Sequence, residues 1–159
     1  MKEILGFINK EFTVIFIACL PIIELRGAIP IGISLGLSPL HSMILSLIGS
    51  MIPVPFILFG VRPIFEYLRK TKLFKNIVHS ITAKTINKSS HKIQKYGARG
   101  LVIFVAIPLP GTGVWSGSLV AALLDIRFKW AFPAILLGNL IAGVLIMGFS
   151  SGVVNLILS

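Results

Sequence analysis

The chain has 159 residues, of which 55% are apolar and only 13% are charged, and its mean hydropathy is +0.96. Soluble domains contain about 25% charged residues. This composition therefore excludes an ordinary water-soluble enzyme, and it predicts an all-α integral membrane protein with one domain, 1–159. The net charge of +10 does not indicate nucleic-acid binding, because ten of the fifteen Lys and Arg residues lie between Arg62 and Arg99.

The first apolar region is interrupted by helix-breaking residues. Residues 12–23 are too few to cross a bilayer, which takes about 20 apolar residues, and 27–61 are too many for one crossing. Backbone groups freed by a helix break at membrane depth must be buried in protein or line a watery cavity. We therefore predict a re-entrant hairpin over 12–37, with a kinked full span as the alternative. The helix breakers are Pro21, Gly27, Pro30, Gly32, Gly36 and Pro39.

A long uncharged apolar segment, 41–60, follows and predicts a membrane-spanning helix. The basic linker 61–99 comes next and should be cytoplasmic, since Lys and Arg are retained on that side. Within it, Pro63 can occupy the first position of a helix. Apolar residues at helical spacing over 63–81 predict a basic amphipathic helix. This helix either lies on anionic lipid or packs beneath the bundle.

The second half of the chain has the same organisation. Breakers at Pro108, Pro110, Gly111, Gly113 and Gly117 predict a second re-entrant hairpin over 100–124, and 130–158 predict a second spanning helix. A shift of 89 residues places Leu20-Pro21 on Leu109-Pro110. If the linker stays on one side, the repeats, about 12–60 and 100–158, are inverted. Inverted repeats with broken helices are a recurrent transporter plan, so we expect a multi-pass protein of the plasma membrane.

Glu24 and Arg26 are the strongest candidates for a functional site, because they stand at the tip of the first hairpin, and Pro30 of the same hairpin is a further candidate. An ionisable group at membrane depth is costly and usually faces a cavity or a partner. Glu24 is therefore a candidate proton carrier, and the alternative is a structural pair with Arg26. Arg26 could bind an anionic substrate or extend to the head-group layer.

The second hairpin tip contributes a candidate binding segment. It contains Pro108, Pro110, Gly111, Thr112 and Gly113, where glycine permits close backbone approach. A half-helix that begins there would direct free amides at an anion.

No enzymatic pattern accompanies these residues. The histidines His41, His79 and His91 are scattered, without partners at metal-ligand spacing. We therefore expect no enzymatic activity, no metal and no cofactor.

Residues 24–30, Glu-Leu-Arg-Gly-Ala-Ile-Pro, and residues 106–113 resemble the small multidrug export family, which is related to the DedA (VTT) superfamily. The resemblance implies paired re-entrant hairpins, movement of lipids such as polyprenyl phosphates, and proton-linked physiology. We expect a small transporter or lipid translocase for an amphipathic or anionic lipid-like substrate, and the alternative is a non-transporting scaffold or assembly factor. The expected partners are anionic lipids at the linker and no nucleic acid, and a homo-oligomer is left open.

Overall fold

A computed structural model of the chain describes residues 2–69, 90–109 and 111–158, and all regular elements within these residues are helices. The first half contains α1 (Lys2–Cys19), α2 (Glu24–Ser34), α3 (Pro39–Met51) and α4 (Pro53–Arg69). The second half contains α5 (Ser90–Ala106), α6 (Val114–Leu123) and α7 (Phe128–Leu158).

The helices fall into two length classes. The apolar segments Pro39–Val61 and Phe128–Gly152 have 23 and 25 residues, which is long enough to cross a membrane. By contrast, α2 and α6 have 11 and 10 residues. At 1.5 Å per residue they extend about 15 Å, half of a hydrocarbon core of about 30 Å.

The surface of the bundle is more apolar than parts of its interior. Large side chains such as Phe12, Phe56 and Phe149 are 67%, 75% and 77% exposed. Small polar residues are buried instead, namely Ser42, Ser46, Ser50, Ser118 and Asn139. Small and polar residues between helices with large apolar residues outside are typical of proteins in lipid. Together with the two apolar spans, this distribution identifies a membrane protein.

The first spanning segment differs from the single helix expected over 41–60. It begins at Pro39, where the Ser38 hydroxyl accepts a hydrogen bond from the His41 amide at 3.3 Å. It is interrupted at Ile52, because Pro53 has no amide to continue the ladder.

The expectation that Pro63 opens a helix is wrong. Pro63 lies inside α4, which continues to Arg69. A proline within a membrane helix removes one hydrogen bond, and neighbouring groups can compensate for it there. The rest of the predicted linker helix, from residue 70, lies outside the described residues.

Pro30 does not break a helix either. It lies inside α2, and the chain turns earlier, at 20–23. The first helix of each half also begins before the apolar stretch, at Lys2 rather than residue 12 and at Ser90 rather than residue 100. Hydropathy marks the part of a helix that suits lipid, whereas the helix itself continues through polar residues.

The turns after α2 and α6 have the same backbone geometry, 89 residues apart. Each contains a residue with positive φ, Gly36 at 88° and Asp125 at 52°. This left-handed residue closes the C-terminus of the helix and lets the next amides bond its last carbonyls. After α2, the amides of Leu35, Gly36 and Leu37 donate to the carbonyl oxygens of Ile31, Ile33 and Gly32, respectively. After α6, the amides of Leu124, Asp125 and Ile126 donate to the carbonyl oxygens of Val120, Ala122 and Ala121.

Glycines bring the spanning helix of each half close to the first helix of that half. A Cβ at Gly49 would meet the Ile15 carbonyl oxygen and, at 2.9 Å, the Cβ of Ala18. A Cβ at Gly138 would lie 2.7 Å from the Val102 carbonyl oxygen. These glycines are also 89 residues apart, and they let backbones approach closely in a membrane bundle.

The two halves pack against each other through α2 on α7, α4 on α6 and α3 on α7. This arrangement brings the break between α1 and α2 next to the break between α5 and α6, where the candidate site lies.

Candidate functional site

The two helix breaks meet and cap each other's helices. Arg26 Nη2 donates to the carbonyl oxygens of Ile107 at 2.9 Å and Val105 at 3.3 Å, at the end of α5. In return, Trp115 Nε1 donates to the carbonyl oxygen of Cys19, the last residue of α1, at 3.2 Å. The last carbonyls of a helix have no partner within it, so each half satisfies the helix end of the other. Arg26 and Trp115 are themselves 89 residues apart.

Glu24 lies at the centre of this contact and is 6% exposed. Its Oε2 lies 3.2 Å from Arg26 Nη1, and its Oε1 accepts a hydrogen bond from the Trp115 amide at 3.0 Å. That amide is in the first turn of α6, and a helix N-terminus attracts negative charge. The carboxylate is thus bound on one side by a guanidinium and on the other by a helix N-terminus.

The backbone at Glu24 is unusual for a residue with a side chain. Its φ is 49°, in the left-handed region. Non-glycine residues in this region cost about 1–2 kcal/mol, and such strain is found often at functional sites. The conformation begins α2 and directs the carboxylate at the other half.

Gly113 is the residue of the second break that faces Glu24. A Cβ there would overlap Glu24 Oε2 and would lie 2.7 Å from Arg26 Nη1. Only glycine leaves room for the ion pair beside the backbone. The Gly113 amide donates to Ser116 Oγ at 2.8 Å, which fixes the start of α6.

Thr112 connects the second break to Arg26. Its hydroxyl lies 2.7 Å from the Ile107 carbonyl oxygen, to which it can donate, and it accepts from Arg26 Nη2 at 3.3 Å. Nearby Gly111 has a φ of 88°, a turn conformation that glycine adopts without strain. These contacts hold the guanidinium without help from Glu24.

A cleft of about 600 Å³ opens over the ion pair. Glu24 and Arg26 provide its charged part, and its remaining walls include Pro21, Ile22, Pro108, Trp115 and Leu119. Within the described residues, Arg26 Nε is buried without a hydrogen-bond partner. Such a cleft can bind a molecule that combines a charged group with an apolar body.

The chain matches a known protein family. The family described as "Putative small multi-drug export protein" matches residues 24–145, which are more than half of the chain. The chain belongs to this family. No curated protein and no solved structure matches it. The match begins at Glu24 and includes every residue of the second break, so the ion pair lies within the part that defines the small multidrug export family, whereas the cleft walls Pro21 and Ile22 precede it.

Most of the residues predicted for the site lie together in this member of the export family. Pro108, Gly111 and Gly113 line the cleft with Glu24 and Arg26, and Thr112 bonds Arg26. Pro30 does not lie there, because it is inside α2. Pro110 lies outside the described residues.

Sequence reasoning missed Trp115 and Ser116, which also line the cleft. The available signal for Trp115 was its position 89 residues after Arg26. The structural pair of Glu24 with Arg26, considered as the alternative to a functional role, is formed. The ion pair uses Glu24 Oε2 and does not account for Glu24 Oε1, which accepts a hydrogen bond from the Trp115 amide of the other half.

Proposed function

We propose that the chain is a small multi-pass transporter of the plasma membrane, with a substrate site where two re-entrant hairpins meet. The observation that supports this proposal most strongly is the Glu24–Arg26 pair, which is buried between the two helix breaks at the base of a cleft. An ionised carboxylate inside an apolar protein is costly, and such residues usually have a partner or face a cavity and mark a functional pathway.

Re-entrant hairpins are supported by the way α2 folds back along α1. A Cβ at Gly32, near the end of α2, would lie 3.1 Å from Val14 Cγ2 in α1. In a kinked full span, the two helices would continue in one direction and these residues would lie far apart. In the second half, a Cβ at Gly117 in α6 would lie 3.7 Å from Leu101 Cδ1, five residues before the end of α5. Half-length helices that return along their partners suit hairpins that end inside the membrane.

An inverted repeat is supported by contacts between equivalent residues. Two positions related by a two-fold axis approach each other only near that axis. Asn139 donates to Ser50 at 2.7 Å, and Gly113 packs against Glu24, and both pairs are separated by 89 residues. The axis should therefore pass through both pairs.

The direction of this axis follows from the packing of α2 on α3. A Cβ at Gly32 would lie 2.6 Å from Ser42 Oγ, so these residues are at one level. Glu24 precedes Gly32 by eight residues and Ser50 follows Ser42 by eight, about 12 Å along each antiparallel helix. Glu24 and Ser50 are therefore level with each other, and an axis through both lies across the helices. Such an axis in the membrane plane relates inverted repeats.

The proposed substrate is amphipathic or anionic and lipid-like, as in DedA-like translocation. The apolar walls of the cleft suit its hydrocarbon part, and Arg26 suits a negative group. Glu24 is the proposed coupling group, which exchanges protons as the two halves move against each other.

Proteoliposomes with two probes test transport directly. A fluorescent phosphatidic acid reports movement of an anionic lipid, and ethidium reports movement of an amphipathic cation. We expect the wild-type chain to move the anionic lipid faster than empty liposomes do. Gly113→Val should abolish this movement, because its side chain would occupy the position of the Glu24 carboxylate. Gly148→Val is the matched control, since a Cβ at Gly148 meets no atom within 4 Å. Wild-type protein that moves neither probe would favour the scaffold.

A further inference from the structure

We propose that the Glu24 carboxylate occupies an oxyanion-binding site, and that the anionic group of an amphipathic ligand binds there by displacing it. This inference rests on the proposed function, because it concerns the same cleft. It assigns the chemistry of the ligand group and the state of Glu24 when the ligand is bound.

The groups around the carboxylate are those that bind oxyanions in proteins. Arg26 Nη1 lies 3.2 Å from Oε2, and the Trp115 amide lies 3.0 Å from Oε1 at the start of a ten-residue helix. Guanidinium and helix N-terminal amides are the usual donors to carboxylate and phosphate. The site already holds an oxyanion, and that oxyanion is a side chain of the protein.

The donors stay in position when the carboxylate leaves. Arg26 keeps its bonds to the carbonyls of Val105 and Ile107 and to the Thr112 hydroxyl. The Trp115 amide is fixed by α6 and by the bond from the indole to Cys19. Removal of Glu24 therefore leaves a formed cationic site rather than a collapsed one.

Charge balance favours exchange over addition. Within the described residues of α2, α6 and the second break, Arg26 is the cationic side chain next to Glu24. A ligand anion bound beside an ionised Glu24 would put two negative charges on one guanidinium in an apolar surrounding, which is costly. Binding of the anion thus requires Glu24 to turn away or to become neutral.

The walls of the cleft define the rest of the ligand. Pro21, Ile22, Pro108 and Leu119 are apolar and lie beside the ion pair. A volume of about 600 Å³ is within the range of small-molecule sites. The ligand class is therefore a carboxylate or phosphate monoester attached to an apolar body.

Binding to the full chain in phosphatidylcholine nanodiscs tests this inference. Dodecyl phosphate is the probe, and a Trp130→Phe background leaves Trp115 as the fluorescent reporter in the cleft. We expect Glu24→Gln and Glu24→Ala to bind the probe at least about tenfold more tightly than the parent, because the competing anion is gone. Arg26→Gln should weaken binding at least about tenfold. Glu11→Gln and Arg99→Gln, outside the cleft, should match the parent.

The probe set distinguishes the alternatives. Inorganic phosphate should bind more weakly than dodecyl phosphate, and equal affinity would contradict the apolar body. Weaker binding of dodecyl phosphate to both Glu24 variants would overturn displacement. Binding of dodecyltrimethylammonium that requires Glu24 would also overturn it, because the carboxylate would then be the ligand contact. If the wild-type chain transports lipid but one of the last two results is found, only the displacement inference is wrong. If the binding results are as expected but the wild-type chain transports nothing, the proposed function is wrong.

Discussion

Asn139 donates a hydrogen bond of 2.7 Å to the hydroxyl of Ser50, and the two residues are 89 positions apart in the chain. Both are buried, at 3% and 1% exposure, where α7 crosses α3. The bond joins equivalent positions of the two halves, at the place where a two-fold axis between them should pass. It is therefore both a structural contact and a test of the proposed inverted repeat.

This hydrogen bond should be measurable as a coupling between the two residues. Asn139→Ala and Ser50→Ala should each destabilise the protein, and the double variant should lose less than the sum. We expect a coupling of about 0.5–1.5 kcal/mol, typical of polar pairs between membrane helices. Reversible unfolding in detergent measures it, with Ser151→Ala as the control on α7. Additive losses would show that the two side chains do not interact.

The close helix contacts at Gly49 and Gly138 predict sensitivity to a single methyl group. Gly49→Ala and Gly138→Ala should each lower stability by about 1–3 kcal/mol, because the added carbon meets backbone of the neighbouring helix. Gly148→Ala in α7 should be neutral or stabilising, since alanine favours helix and the site is open. Thermal unfolding of the three variants tests this. If Gly148→Ala lost as much stability as Gly138→Ala, the loss would come from replacing any helical glycine and not from the close helix contact.

Inversion of the halves predicts the sides on which their equivalent turns lie. In a Cys19→Ser background, cysteine at Ser38 should react with an impermeant maleimide from outside the cell. Cysteine at Arg127, 89 residues later, should react only after the membrane is opened, because we expect the basic segment to place this end of the bundle in the cytoplasm. Labelling of both positions from one side would contradict the inverted repeat.

The sequence predicts the site better than it predicts the helices. Glu24 and Arg26 stand out because ionisable residues are rare in apolar sequence, and Gly113 because glycine permits a close approach to the backbone. The role of Trp115 could not be predicted in the same way, since its contact with Glu24 is made by a backbone amide that every residue but proline has. Which half-helix begins beside the carboxylate is decided by tertiary packing.

The helix boundaries show a second limit of the same kind. Proline marks a break only when no neighbour compensates for the missing amide, and the sequence does not reveal the neighbours. Pro63 and Pro30 therefore lie inside helices, whereas Pro21 and Pro108 lie in the breaks. The shift of 89 residues was visible from a few matching letters. The structure adds turn hydrogen bonds that recur at the same spacing, which depend on backbone geometry that the letters do not reveal.

Proton movement through Glu24 can be measured together with lipid movement in one experiment. Proteoliposomes that contain a pH-sensitive dye and the fluorescent phosphatidic acid report protons and lipid together. We expect wild-type protein to move both, Glu24→Gln to move neither while its thermal stability and insertion are preserved, and Glu11→Gln to behave as wild type. Lipid and proton movement at the wild-type rate in Glu24→Gln would contradict proton movement through Glu24.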